Sequence, residues 1–433
     1  MTDRLELQES LRLWSRAEQV ISGGSQTNSK RPSAYAMGAY PIYAERGKGC
    51  RIWDVDGNEY IDYVLGLGPI TLGYCYDAVD QAIAEQLGRG IVYGLLSPLE
   101  VECAELMIEM VPCCEQVRYL KGGAEATTAA ARIVRAYTGK ELILNSGYRG
   151  WADVWSSQIE PPMGRGIPEC LRGLVKSFPR DDLEALEALL KRYAGKVAGV
   201  FVDEAGGSEA PREVVVGRRE LCDKYGVLLV YDEIVTGFRM APGGAQEYYG
   251  ATPDLACFAK GIANGMPLAA VCGRKEIMSL AADLLISLTY GGEALSLAAA
   301  VACMKEYRAK PVHETIHAQG QKLVDGVNAL GEKHGVPFTA HGPVMMSSQS
   351  FAYSDAAPDA DCWTLLLQEM AKRGVLIRRG GLLFITFSHD DAAVAATLEA
   401  LDGSLAVIRE AVDGGDVQKF LTGGEAVESF RRF

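Results

Sequence analysis

Between about residue 76 and about residue 310 the chain alternates short, unbroken apolar runs with longer stretches of helical period. The runs are Leu142–Leu144, Val197–Val202, Val227–Tyr231, Leu255–Phe258 and Leu268–Cys272. A strand with one face in water would alternate apolar and polar positions, so unbroken runs predict strands covered on both faces. Between most of them lie helical stretches, notably Ala124–Tyr137, Asp181–Tyr193 and Arg218–Lys224. Strand–helix–strand alternation predicts an α/β fold, a mostly parallel sheet with helices packed on it.

The flanks read differently. Residues 1–22 form a charged amphipathic helix, and residues 23–38 a polar loop rich in Gly, Ser and Asn. Residues 48–64, KGCRIWDVDGNEYIDYV, alternate apolar and polar positions around Asp56-Gly57-Asn58, which predicts a β-hairpin with a tight turn. Past about residue 311 come a long helix, a few strands and a final helix, the pattern of a smaller α+β domain. The expected division is residues 1–70 for the first part of the small domain, 71–310 for the large domain and 311–433 for the remainder. The tail from Asp413, with two Gly-Gly pairs, is expected to fray.

Composition narrows the partners. Lys plus Arg number 43 and Asp plus Glu 56, a formal charge of −13, which disfavours nucleic acid and anionic membrane. No apolar run approaches the length of a membrane span. The N-terminal helix is charged and unlike a secretion signal, so eleven cysteines are expected as reduced thiols in a cytoplasmic protein. No CxxC occurs and none of the five histidines has metal-ligand spacing, so no metal is expected.

The candidate chemistry centres on Lys260, which follows the run Leu255–Phe258. Asp232, 260 − 232 = 28 residues earlier, ends the run before it. A lysine and an aspartate so placed are what a pyridoxal 5'-phosphate (PLP) site requires. The lysine condenses with the cofactor aldehyde, and the aspartate pairs with the protonated ring nitrogen and keeps the ring an electron sink. Taken singly, each half also fits a surface lysine or a helix cap. A third element supports the PLP reading: in YLKGGAEATTAAARIVRAY, residues 119–137, Gly122-Gly123 opens an alanine-rich helix. Free N–H groups and the helix dipole there can hold a phosphate dianion; an ordinary glycine turn is the competing reading.

Carried together, these segments resemble the class III aminotransferases of PLP fold type I, in the branch of glutamate-1-semialdehyde aminomutase. The resemblance runs through WDVDGNEYIDYV, SPLEVECAELM, GGAEA, GYRG, DEIVTGFR, the Lys260 segment and TYGGEALSLAAA, nearly the whole chain. It implies a large domain with a mostly parallel seven-stranded sheet flanked by helices, plus a smaller α+β domain from both chain ends. It also implies a homodimer with shared active sites. By resemblance Lys260 is the cofactor lysine and Asp232 the partner of the ring nitrogen. Ile234 packs on one ring face and Tyr148 covers the other. Gly123 and Ala124 offer backbone amides to the phosphate, and Thr289 reaches the phosphate of the neighbouring subunit. Glu204 lies near the substrate and the cofactor hydroxyl, with a solvated acid at a strand end as the alternative.

The departures bear on substrate. The usual Ser-Gly-Thr of the phosphate turn is Gly122-Gly123-Ala124, and the aminomutase's Ser-Trp pair is Gly66-Leu67. Lys30 falls where the aminomutase has an arginine for the substrate carboxylate, and Glu293-Ala294 replaces a usual Asn-Pro. A roomier pocket follows, with Lys30, Leu67, Arg378 and Arg379 as substrate candidates. These changes favour a transferase that moves an amino group from an amino-acid donor, glutamate in this reading, to an aldehyde or ketone acceptor. A sugar or cyclitol-type carbonyl in natural-product or glycan biosynthesis is the expected acceptor. The 2,1-aminomutase reaction and an epimerase are the alternatives. Intact Lys260 and Asp232 argue against a non-enzymatic scaffold.

Overall fold

In the computed structural model, which describes residues 5–160, 163–204, 208–353, 359–424 and 426, the five apolar runs are strands of one seven-stranded sheet. The order across it is Gln116–Leu120, Ala269–Gly273, Leu255–Phe258, Leu228–Glu233, Val197–Val202, Leu142–Ser146 and Val175–Ser177. Ala269–Gly273 runs antiparallel to both its neighbours; the other neighbouring pairs are parallel. Leu142–Ser146, Val197–Val202, Leu255–Phe258 and Ala269–Gly273 are buried along their whole length, as a sheet covered on both faces requires.

The helix Gly123–Thr138 covers one face. Its buried stripe, Ala126, Ala129, Ala130, Ile133 and Val134, joins a cluster with Phe201, Val230, Leu255 and Val271 from the strands beneath. Alanine at most of these positions lets the helix backbone approach closely, and burying Ile133 and Val134 contributes about 1.5–3 kcal/mol each. Gly139, at φ 66°, ends the helix in the left-handed conformation that closes many helices. The helix Arg212–Tyr225 is longer than the Arg218–Lys224 stretch expected from sequence, because Val214-Val215-Val216 reads as a β-branched run. These elements belong to a unit made of Gly68–Thr71 and Asp77–His313.

The second unit runs through Leu67, takes in Leu72–Tyr76 and resumes at Glu314. The expected hairpin is present: Arg51–Asp54 pairs antiparallel with Glu59–Asp62, with Ile52 opposite Tyr60. Its turn is held by Asp54, whose Oδ1 accepts from Asp56 N at 3.0 Å and Asn58 N at 2.8 Å. Val375–Leu376 adds in parallel to Glu59–Asp62, so segments from both chain ends share one sheet. A three-stranded sheet, Phe338–His341, Met346–Phe351 and Leu382–Phe384, and the helices Asp359–Lys372 and Asp391–Asp413 complete it. The expectation for the tail past Asp413 falls partly on residues 425 and 427–433, outside the described residues. Among the described residues no helix is long and apolar enough to cross a membrane and no group of His, Cys, Asp and Glu could hold a metal ion.

Candidate active site

Asp232 sits near the carboxyl end of its strand, paired in register with Cys257, where ligands of parallel α/β sheets gather. Strand alternation sends it and Glu233 to opposite sides. Glu233 accepts from Ala245 N at 2.9 Å and Gln246 N at 3.1 Å, capping the helix Ala245–Tyr249, and burial pushes its carboxyl up to about 7. Asp232 accepts from Ile234 N at 3.0 Å. Burial pushes its carboxyl up to about 6, against the pull of the Arg149 guanidinium and the Lys260 charge. A buried carboxylate so raised is short of cationic partners and suited to a ligand that supplies one.

The phosphate turn faces the same place. The side chain of Glu125 folds back and accepts from Lys121 N and Gly122 N, both at 2.9 Å. The next two amides, Gly123 and Ala124, open the sixteen-residue helix and make no hydrogen bond within the described chain. A Cβ on Gly123 would stand 2.7 Å from Ile234 Cδ1, so glycine there is what allows Ile234 to lie against the turn. The loop Tyr148–Gly150 packs on the turn as well: Thr127 Oγ1 donates to Arg149 O at 2.6 Å.

Lys260 opens a short helical turn, Lys260–Ala263, with φ 52°, a left-handed conformation uncommon for a lysine. The turn is pinned by Tyr307, whose hydroxyl donates to Gly261 O at 2.6 Å, and its charge acts on Asp232. The structure thus brings Gly123, Ala124, Ile234, Asp232 and Lys260 into one neighbourhood, with Tyr148 half-buried at its edge. Thr289 lies exposed in the turn before the helix Ala294–Ala309.

Glu204, expected near the substrate and the cofactor hydroxyl, has its carboxylate on a buried arginine. Glu204 is 1% exposed and its Oε2 is 2.8 Å from Nη2 of Arg218, itself fully buried on the helix Arg212–Tyr225. It is tied to that helix, and its neighbour Asp203 carries the carboxylate that meets the site. Asp203 Oδ2 lies 2.6 Å from Arg149 Nη1, and the same nitrogen lies 3.3 Å from Asp232 Oδ2. Neither Arg149 nor Asp203 stood out in the sequence, although Arg149 is inside GYRG and Asp203 precedes Glu204 directly. Gly147, at φ 92°, has no room for a Cβ beside Asp203, which fixes the approach of this loop. A cleft of about 610 Å³ opens beside them, lined by Tyr148, Trp155, Phe178, Arg180 and Asp203 among others.

The substrate candidates lie in the other unit. Lys30 is exposed at the end of a short turn, and its charge acts on Asp62. Leu67 is the third of four successive residues with positive φ, Leu65, Gly66, Leu67 and Gly68, at 45°, 64°, 78° and 96°. Arg378 is buried close enough to Tyr35 to oppose the burial that pushes that hydroxyl up to about 12. Tyr35 stacks on Tyr40 at 4.6 Å, and Tyr40 donates to Ile377 O at 2.8 Å, so the loop carrying Lys30 and the Arg378 segment meet. Arg379 Nη1 donates to Ala426 O.

The residues present fit the phosphate, ring nitrogen and aldehyde of PLP: two free helix amides, a buried carboxylate and a lysine beside it. Comparison with known proteins agrees. The chain is 34% identical over 418 residues to the 3-aminobutyryl-CoA aminotransferase of Cloacimonas acidaminovorans, spanning 95% of this chain and 100% of that protein. It is 33% identical to the glutamate-1-semialdehyde 2,1-aminomutase of Syntrophobacter fumaroxidans, over 92% of this chain and 97% of that one. The PLP internal aldimine form of the FumI protein of Sphingopyxis sp. MTA144 superposes with a TM-score of 0.88 at 29% identity, covering 95% and 99% of the two chains. Residues 33–403 match the family described as "Aminotransferase class-III", and the chain belongs to that family of PLP-dependent enzymes.

Proposed function

We propose that the protein transfers an amino group between two molecules, from an amino-acid donor, glutamate in our reading, to an aldehyde or ketone acceptor. The observation that carries the reading is the convergence of Lys260, Asp232 and the free Gly123 and Ala124 amides. Bound, the cofactor supplies an aldehyde that condenses with amines and a ring that accepts the electron pair left when a substrate carbon loses its proton. Gly123 and Ala124, at the positive end of their helix, bind the phosphate. Ile234 orients the ring, and Tyr148 covers the opposite face and excludes water. Asp232 holds a proton at the ring nitrogen. Lys260 takes the proton from the substrate carbon that bears the amino group and delivers it to the carbon that had carried the cofactor's aldehyde, as base and then acid.

Transfer is favoured over the aminomutase reaction by Gly66-Leu67 and Lys30, where the aminomutase has Ser-Trp and an arginine. Lys30, Leu67, Arg378 and Arg379 are our candidates for substrate recognition. The name of the Cloacimonas relative, 3-aminobutyryl-CoA aminotransferase, adds the β-keto thioester that corresponds to such an amine to the sugar or cyclitol as acceptor class. A homodimer is also proposed. Leu95, Leu96 and Leu285 are each 86% exposed and Trp151 78%, an apolar surface that a lone subunit would leave in water. Thr289, between Leu285 and the exposed Tyr290, would complete the partner's phosphate site.

The test is a half-reaction. Protein loaded with pyridoxamine 5'-phosphate is mixed with 3-oxoacyl thioesters, keto acids and sugar aldehydes or ketones, and the return of the aldehyde cofactor's absorbance is followed. A transferase makes one turnover on the acceptor alone and needs a donor for more. Repeated turnover without a donor would replace this reading with the isomerase.

A further inference from the structure

Asp232 does not meet the ring nitrogen's position alone. Arg149 Nη1 lies 2.6 Å from Asp203 Oδ2 and 3.3 Å from Asp232 Oδ2, on a side chain with 0% exposure. The guanidinium is anchored besides to the carbonyls of Tyr148, at 2.7 Å, and Ser146. It therefore has one place to stand, between two carboxylates at the ends of adjacent parallel strands. The other oxygen of Asp232 is taken by Ile234 N–H. The charged groups acting on Asp232 are Arg149, Asp203 and Lys260, and the buried Cys257 thiol lies beside it on the next strand.

We infer that Arg149 is a positioning residue that, clamped by Asp203, keeps Asp232 ionised for the cofactor's ring nitrogen, and that Arg149 and Asp203 act as one unit whose charges offset each other at Asp232. The inference rests on reading Asp232 as the partner of that nitrogen. A second carboxylate this near the buried Asp232 disfavours its charge, and a cation placed between the two offsets that repulsion. The directions agree: burial raises the Asp232 carboxyl most, Arg149 lowers it and Asp203 raises it. Removing Arg149 alone should therefore do more harm than removing Arg149 and Asp203 together, which no merely structural arginine would show.

The experiment uses cofactor-free protein and 4'-deoxypyridoxine 5'-phosphate, which keeps the ring and phosphate but has no aldehyde for Lys260. Its affinity, and the ring absorbance that reports nitrogen protonation, are measured from about pH 5 to about pH 8. Wild type should bind well above the Asp232 midpoint and lose affinity below it. Arg149→Met should move that midpoint up by about one unit or more, about a tenfold loss of affinity near pH 5 that narrows to about twofold near pH 7, and shift bound-ring absorbance toward the unprotonated form. Arg149→Lys should shift it less. Arg149→Met/Asp203→Asn should recover most of the loss. Should Arg149→Met fail to fold, Asp203→Asn alone carries the test, since it should move the midpoint down. An unmoved midpoint in Arg149→Met or in Asp203→Asn, or a double variant as weak as the single, overturns the inference while leaving Asp232 in place. Wild-type protein whose bound ring is not protonated overturns the reading of Asp232, and the inference with it.

Discussion

Replacing Arg218 by methionine removes the charge from the Glu204 pair while keeping most of the side-chain volume. Both residues are at most 1% exposed, at 2.8 Å. Among the described residues Glu204 Oε1 and Arg218 Nη1 have no hydrogen-bond partner, so the pair as a whole contributes little over an apolar pair of the same shape. Breaking one side is different, because it strands a buried carboxylate, at a cost of about 3–5 kcal/mol. For a unit of this size that lowers Tm by about 6–10 °C, at about 2 °C per kcal/mol. The pH dependence carries a sign. Burial already holds Glu204 above its ordinary value against the pull of Arg218, and without Arg218 it rises further. The folded variant then keeps a proton that the unfolded chain releases. Its deficit is full at neutral pH and shrinks as pH falls toward the ordinary carboxylate value. Thermal melts of cofactor-free protein at about pH 7.5 and about pH 5.5 measure both effects. Glu204→Gln/Arg218→Met should return to within about 1–2 kcal/mol of wild type and still retain cofactor. A single-variant loss below about 1 kcal/mol, or one that does not shrink in acid, refutes the ion-pair argument. A folded double variant that has lost its cofactor returns Glu204 to the site.

Lys260→Ala should abolish turnover and the visible cofactor band while leaving the melting curve of the apo protein little changed; an active, coloured variant would sink the reading of this site. Asp232→Asn should keep cofactor and lose about 10²–10⁴-fold in kcat, and an unchanged kcat removes Asp232 from the chemistry. Gly123→Ala puts a Cβ 2.7 Å from Ile234 Cδ1, an overpacking of about 1–3 kcal/mol that should appear as weaker PLP titration, and Ile234→Val in that background should restore binding. Wild-type affinity in Gly123→Ala would refute the cradle. Thr289→Ala should weaken PLP retention about 10–100-fold without lowering apo stability, with the loss confined to protein concentrations where the wild type is dimeric; an equal loss in the monomer rules out a contribution from the partner.

The sheet was legible because burial on both faces leaves an unbroken apolar run, and each of the five runs became a strand. Val175–Ser177 escaped notice because three residues with one buried position leave almost no pattern. The reversal of Ala269–Gly273 was hidden for another reason: strand direction leaves no trace in composition. In the site, Lys260 and Asp232 were visible because each ends an apolar run. Arg149 was not, because its partners lie 54 and 83 residues away and only the fold joins them. Asp203 and Glu204 show the limit sharply. Two carboxylates stand side by side at a strand end, and only the register of that strand decides which meets the site.

The reversed strand also sets an order of events. Gln116–Leu120 lies at the edge of its sheet with a single neighbour, Ala269–Gly273, which begins 269 − 120 = 149 residues later. The helix that carries the phosphate turn starts three residues after that edge strand. Closing so long a loop is slow, and its entropy is lost before the contact is gained. During synthesis the phosphate turn therefore waits, unanchored on that side, until the chain has been made past Gly273. By then Asp232 and Lys260 have already emerged. Cofactor capture becomes a late checkpoint in assembly: PLP at about 100 times its Kd adds about 2.7 kcal/mol to a chain that has closed and nothing to one that has not.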